Sequence, residues 1–339
     1  MQASETPSRP SVESRVIVTG GSGFIGTNIV QALRDEGIPV LNLDEKPPRN
    51  PAHADVFKRV SLLDAPALAR EIRAFAPSCI YHMGARTDLH GTTLEDYAAN
   101  IAGLQNLIDA CRQTPSIQRV IFASSRLVCQ IGYRPKDESD YNATTPYGQS
   151  KVEGEKMVRA QNGLPFDWAI VRPTSIWGPW FDIPYRTFFD HVHAGRYFHP
   201  GQLSVVKSFG YVGNSVFQMR RIMEAPTQVV HGRTYYIGDY TPIDVKQFAD
   251  TISRAFGSSP VRSLPLPLLR LAAKAGDLLQ TLGYKEPPLT TFRINNLCTN
   301  MLHDFWGLDA VTGPLPFSMP EGVMRTVEWM KSAPQRKEA

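Results

Sequence analysis

Only four cysteines occur in the 339 residues, Cys79, Cys111, Cys129 and Cys298, and no two form a C-x-x-C pair. A disulfide framework or a thiolate zinc site needs paired spacings, so free thiols in a reducing cytoplasm are expected. The eight histidines include no H-E-x-x-H, and His191 and His193, two apart, do not share a helix face. No metal site is expected. Dense Lys/Arg blocks are absent and the net charge is only +4. That balance gives no reason to expect nucleic acid, although the surplus suits an anionic small molecule. The greasiest stretch, Leu264 to Leu282, is broken by Arg270, Lys274 and Asp277, so no transmembrane segment is expected. It reads as the core helix of a small domain or as an interfacial, lipid-facing helix. The lead MQASETPSRPSVESR has no apolar h-region and is not a secretory signal. Residues 1–13 and 333–339 read as flexible tails.

What is present is an ordinary globular composition, 42% hydrophobic and 20% charged, in a chain long enough for one large or two modest domains. Arg15–Thr19 is a short buried-strand signal that runs into Gly20-Gly21-Ser22-Gly23-Phe24-Ile25-Gly26. A helical apolar pattern follows through Ile29, Val30 and Leu33 and stops at Gly37. A strand feeding a glycine turn and a helix is the context of a dinucleotide phosphate site. Glycine lets the backbone approach the pyrophosphate, and helix N–H groups attract the anion. The second strand, Pro39–Leu43, ends in Asp44, 18 residues past Gly26. An acid there accepts hydrogen bonds from ribose hydroxyls and repels a 2′-phosphate, which favours NAD over NADP; Lys46 and Arg49 nearby pull the other way.

Strand and helix signals then alternate to Val171. They comprise a strand at Val56–Val60, a helix at Ala65–Phe75, a strand at Cys79–Met83, a long helix at Leu94–Cys111, a strand at Arg119–Ala123, the Tyr147 helix and a strand at Trp168–Val171. The pattern predicts an α/β fold: a Rossmann-type, doubly wound parallel sheet with ligands at the carboxyl ends of its strands. Gly84–Thr87, Ser124–Arg126 and Arg172–Ser175 all fall at such ends. Ser208–Val212 and Thr234–Ile237 read as returns to the sheet. The expected division is a cofactor domain over 14–178 with return segments near 208–238. A smaller, mostly helical substrate-binding region takes 179–207 and 239–332.

Thr145-Pro146-Tyr147-Gly148-Gln149-Ser150-Lys151 has the start of a helix, with Thr145 as cap and Pro146 in the first turn. Tyr147 and Lys151, four apart, share a face, and an ammonium beside the phenol is expected to lower its pKa. A phenol so tuned exchanges protons with an alcohol or ketone.

Together these residues resemble the extended short-chain dehydrogenase/reductases, in particular the NAD-dependent epimerase/dehydratase branch. The likeness runs through Thr19–Gly26, Asp44, Tyr81-His82-Met83-Gly84-Ala85, Asn100–Leu107 and Phe122-Ala123-Ser124-Ser125. It continues through Tyr147/Lys151, Arg172-Pro173, Trp177-Gly178-Pro179 and Lys207–Val212. The resemblance implies NAD held by Gly20, Gly23, Phe24, Ile25, Gly26, Asp44, Leu63, Gly84, Ala85, Tyr147, Lys151 and Pro173. It implies catalysis by Ser125, Tyr147 and Lys151, with Ser124 the alternative to Ser125. Substrate contacts fall to Arg86, Thr87, Ser124, Arg126, Thr174, Ser175 and Lys207. Leu127 stands where sugar dehydratases carry an acid, so elimination loses its acid/base pair. Ser61 stands where an Asp often meets the adenine, and Ser175 and Cys129 replace an Asn and a Tyr.

The implied activity is 4-epimerisation of a nucleotide sugar through a keto intermediate, in a cytoplasmic homodimer that serves surface polysaccharide biosynthesis. The alternative is a net dehydrogenase or reductase of a keto-sugar or an apolar, sterol-like hydroxy compound.

Overall fold

Side chains alternate along the strands between two apolar clusters, as a two-residue period requires. In β1 (Val16–Thr19), Val16 and Val18 join one cluster and Ile17 the other. The same division separates Tyr81 from Ile80 in β4 (Cys79–His82) and Ile121 from Val120 and Phe122 in β5 (Arg119–Ala123). In β6 (Asp167–Pro173) it separates Ala169 and Val171 from Ile170. Both faces are therefore apolar, and both are covered by helices. The computed structural model describes residues 14–183, 185–284, 287 and 289–332. The tails expected at 1–13 and 333–339 lie outside the described residues.

With β2 (Val40–Asp44) and β3 (Phe57–Arg59), the sheet has seven strands, all parallel, in the order Arg233–Ile237, β6, β5, β4, β1, β2, β3. Helix α1 (Phe24–Asp35) and the Val212–Glu224 helix pack on one face. Helices α2 (Ala65–Phe75), α3 (Ala98–Arg112) and α4 (Pro146–Arg159) cover the other. Strand order reverses between β1 and β4, which opens a crevice at their carboxyl ends. This is the Rossmann-type architecture expected from the sequence, followed by a mostly helical C-terminal region.

Four local expectations change. The strand expected at Val56–Val60 shortens to Phe57–Arg59, because a 3₁₀ turn at Pro51–Val56 precedes it, capped by the Asn50 side chain. The helix expected from Leu94 opens as a 3₁₀ turn at Glu95–Tyr97, and α3 proper starts at Ala98. Tyr97 is buried there and its hydroxyl donates to the Asp88 carbonyl, so the turn serves packing. Of the two expected returns, only Arg233–Ile237 joins the main sheet, filling the free side of β6. Phe209–Tyr211 instead pairs with Ser175–Trp177, which lies beyond β6, as a separate two-stranded ribbon. Finally, the Leu264–Leu282 stretch is helical over Leu266–Thr281 but buries only Leu269, Ala273 and Gly276.

The glycine turn shows why its residue types matter. Gly20 sits at φ +70°, and a Cβ on it would lie 2.5 Å from the Gly84 nitrogen. A Cβ on Gly26 would lie 2.2 Å from the Gly20 carbonyl oxygen. Both neighbours are backbone and have little room to yield. Gly26→Ala is therefore expected to destabilise the protein by about 1–3 kcal/mol. Thermal unfolding of the cofactor-free protein checks this.

Candidate active site

The crevice between β1 and β4 is lined by main chain. Helix α1 begins at Gly23 with no side-chain cap and no acid in its first turn, so its N–H groups face the crevice without a protein partner there. Such an end attracts a phosphate. Asp44, at the tip of β2, accepts from the Ser22 N–H (3.1 Å) and the Lys46 N–H (3.0 Å). Burial raises its pKa, and these N–H groups pull it back. Arg49, the cation best placed to favour a 2′-phosphate, instead donates to the Trp180 carbonyl (2.9 Å) and pairs with Asp182. Ser61 donates to Glu45, and Leu63 beside it is exposed at the rim. Gly84 packs against Leu62 and Thr19. A phosphate cradle without side chains and an adjoining carboxylate fit an NAD-type dinucleotide. When bound, NAD would supply hydride exchange at carbon.

Helix α4 brings Tyr147 and Lys151 to the carboxyl ends of β5 and β6. Thr145 caps it by accepting from the Gly148 N–H, and Pro146 takes the first turn, as the sequence predicts. Ser125 ends β5 and caps the 3₁₀ turn Arg126–Val128 by accepting from the Leu127 N–H (3.1 Å). Its side chain also lies close enough to the Tyr147 phenol to pull the phenol's pKa down. Ser124 faces the other way and donates to Glu155 at 2.5 Å. Of the two serines, Ser125 is therefore the one beside Tyr147.

The expected tuning of Tyr147 by Lys151 does not hold. Burial pushes the phenol up to about 12, only partly offset by Ser125 and the Arg126 charge. Lys151 donates to the Ala123 carbonyl (2.9 Å) rather than to Tyr147. Burial pulls its ammonium down to about 8, against the opposing pull of Glu155. Sharing a helical face set the two residues on one side; the sheet edge decided where the lysine reaches.

Glu155 is one turn beyond Lys151, and the sequence reading did not single it out. It is fully enclosed and accepts from Arg172 at both oxygens (2.8 and 2.7 Å), from Ser124, and from the Tyr141 hydroxyl (3.1 Å). Arg172, equally buried on β6, also donates to the Glu138 carbonyl (2.6 Å). The spacing Tyr147, Lys151, Glu155 on one helix face could have identified it. Asn100 of α3 was quoted only as part of a motif. It accepts from the Arg86 N–H and donates to the Arg86 carbonyl and Ser150, which locks the loop after β4 onto α4.

The expected substrate residues divide. The Arg126 side chain makes no hydrogen bond or ion pair among the described residues, and its charge shifts Tyr147, Lys207 and His303. Lys207 donates to the Asn296 carbonyl (2.6 Å); burial and the Arg126 charge pull its ammonium down to about 8. The two cations are thus near enough for one to act on the other. Arg86 is instead held by Asp88 and stacked over Tyr97, and Thr87 is exposed beside it. The Thr174 hydroxyl donates to the Ile237 carbonyl (3.0 Å), Ser175 is buried in its ribbon, and Ala85 and Pro173 are half-buried at their strand ends.

Lys207 also lines a cavity of ≈140 Å³ with Trp177, Tyr185, Phe188, Phe209, Phe248 and Leu297 among its walls. Tyr185, one of its walls, is among the groups that raise the Tyr147 phenol. Its aromatic walls come from positions spread over 177–248, and only the fold brings them to one hollow.

A model of the NAD dependent epimerase/dehydratase family matches residues 16–238. A 3-beta-hydroxysteroid dehydrogenase of Mycolicibacterium neoaurum is 30% identical over 312 residues, covering 84% of this chain and 82% of that one. An Escherichia coli O157:H7 N-acetyl-alpha-D-glucosaminyl-diphospho-ditrans,octacis-undecaprenol 4-epimerase is 23% identical, covering 94% and 96%. The solved UDP-glucose 4-epimerase of Thermus thermophilus in complex with NAD superposes with a TM-score of 0.70 at 22% identity, covering 94% and 99%. The last likeness speaks to the fold.

Two outcomes follow from the site. Arg172→Met strands the Glu155 charge in the interior and is expected to destabilise the protein by about 3–5 kcal/mol, read by denaturant unfolding. Lys151 titrates near 10.5 when unfolded and about 8 when folded. Between these values the unfolded chain binds more protons, so this group adds stability as pH rises from 8 toward 10 and adds nothing below 8. The gain is on the order of 2 kcal/mol, and Lys151→Met should remove it from the difference between unfolding midpoints.

Proposed function

The chain belongs to the NAD dependent epimerase/dehydratase family and is an NAD-dependent enzyme of the extended short-chain dehydrogenase/reductase type; from that premise we propose that it epimerises a nucleotide sugar at a secondary carbinol carbon. The observation that carries the substrate class is Lys207 in the wall of the aromatic cavity, with the Arg126 charge acting on both Lys207 and Tyr147. An anionic diphosphate satisfies both. The hydride leaves the carbinol carbon and returns to the opposite face of the resulting ketone, an exchange that bound NAD would supply.

Tyr147 takes the alcohol proton as hydride leaves the carbon, and gives it back on return. Ser125, beside that phenol, holds the reacting oxygen in line. Burial raises the phenol, and Ser125 and the Arg126 charge pull it back toward phenolate. Leu127 offers no proton, so the keto intermediate has no route to elimination at that position. The relatives include both a hydroxysteroid dehydrogenase and a 4-epimerase named for a sugar diphospho-undecaprenol. Assembly as a homodimer through α3 and α4 belongs to the same reading, and the mass in solution tests it.

A second reading, net dehydrogenation or reduction of an apolar hydroxy compound, is favoured by the aromatic walls of the same cavity. The two differ in what accumulates. A panel of nucleotide sugars is scored for product stereochemistry and for NADH, alongside a panel of sterol-like alcohols. Isomer without net NADH supports the epimerase. Stoichiometric NADH from an apolar alcohol overturns it. Tyr147→Phe is expected to abolish turnover while leaving NAD binding intact, and Asp44→Ala to weaken NAD. Arg126→Leu is expected to raise KM for a diphosphate substrate about tenfold or more, from loss of a charged hydrogen bond.

A further inference from the structure

We propose that the Leu266–Thr281 helix docks this protein on an anionic lipid bilayer, lying in the interface plane rather than crossing it. The helix turns Leu269, Ala273 and Gly276 inward, where they meet Ile294 and Leu297 of the Thr291–Cys298 helix. Gly276 is needed there, because a Cβ on it would overlap the Leu289 carbonyl oxygen. Its opposite side is the unusual one. Leu268, Leu271, Leu278, Leu279 and Leu282 are 56%, 67%, 61%, 47% and 75% exposed. At 100° per residue these five, with exposed Ala272 and Ala275, fall on one stripe about 120° wide. Of the chain's fourteen large exposed apolar side chains among the described residues, four lie on this one helix, a fifth, Leu282, caps it, and a sixth, Tyr284, follows two residues beyond the cap.

Charge and area decide the occupant. Exposed Arg270 and Lys274 border the stripe on one side, and the single helix acid, Asp277, is turned to Thr291. Residues 258–303 hold five Lys/Arg against two Asp/Glu, which is three of the chain's four surplus positive charges. A basic rim around an apolar face matches anionic headgroups over acyl chains. Tyr284 just past the helix and Phe292 at the start of the next are 58% and 71% exposed, as amphipathic rings at such an interface are. The stripe offers on the order of 500 Å², short of the roughly 800 Å² per partner that a stable dimer buries. Facing a second copy it would also bring its own cations together. No described helix is long and apolar enough to cross a membrane, so the docking is peripheral. The underside of this helix packs on the helix whose Leu297 lines the aromatic cavity beside Lys207, so a docked protein holds that cavity close to the lipid surface.

The test is co-sedimentation of the full chain with phosphatidylcholine vesicles with and without phosphatidylglycerol. Binding to the anionic vesicles, weakening with salt and falling about tenfold in Leu271→Glu or Leu278→Glu, is expected. Both positions are exposed, so both variants should keep the parent's unfolding temperature and NAD binding. Tyr147→Phe should bind vesicles as the parent does, which separates docking from any reading of the catalysis. Three results overturn the proposal: no binding to anionic vesicles, binding equal in the parent and both variants, or a parent oligomer that either glutamate variant breaks into monomers, which would make the stripe a contact between copies.

Discussion

The buried pair of Glu155 and Arg172 is the constraint on which the rest of the site depends. Glu155 rises from α4 and Arg172 from β6, and neither meets solvent. A carboxylate enclosed in this way is tolerable only with its hydrogen bonds complete. Arg172 at both oxygens, Ser124 from the end of β5 and Tyr141 from the intervening loop complete them. One polar knot therefore ties α4 to two strand ends. Because Tyr147 and Lys151 lie on the same helix face as Glu155, fixing the carboxylate fixes them over the sheet's carboxyl edge. It also divides the adjacent serines: Ser124 is drawn into the knot, and Ser125 is left to face the phenol.

Around that anchor the site has three chemically different walls. The β1–β4 crevice is backbone, with orphan N–H groups and one carboxylate at its far end, a surface for phosphates and ribose. The Tyr147 side is buried and poor in charge, which raises the phenol and lowers the neighbouring ammonium. The third wall combines aromatic rings with Lys207. It offers two different surfaces: a cation at Lys207 and an apolar or stacking face at the rings. The family relatives include enzymes named for both sorts of substrate.

Much of this was legible in the sequence because it depends on local chemistry. A strand, a glycine turn and a helix can be read in order, and Gly20 and Gly26 are glycine because main chain lies within 3 Å of where a Cβ would sit. Asp44 follows from strand length, and Tyr147/Lys151 from a helix start that Thr145 and Pro146 announce. The apolar Leu264–Leu282 stretch was visible too, but not which of its leucines face outward, since that depends on which neighbour covers the helix.

What the sequence determined by itself was the alternation of elements, the glycine turn and the shared helix face of Tyr147 and Lys151, all set by spacings of a few residues. What tertiary structure decided was every property arising from contacts across long separations. Lys151 reaches the Ala123 carbonyl and the Tyr147 phenol is raised, because burial beneath strands 20 or more residues away outweighs a neighbour four residues along the helix. Arg86, expected at the substrate, is taken by Asp88, whereas Arg126, on a turn that only the fold aims, acts on Lys207. Helical periodicity places side chains on a face; only packing decides what that face meets.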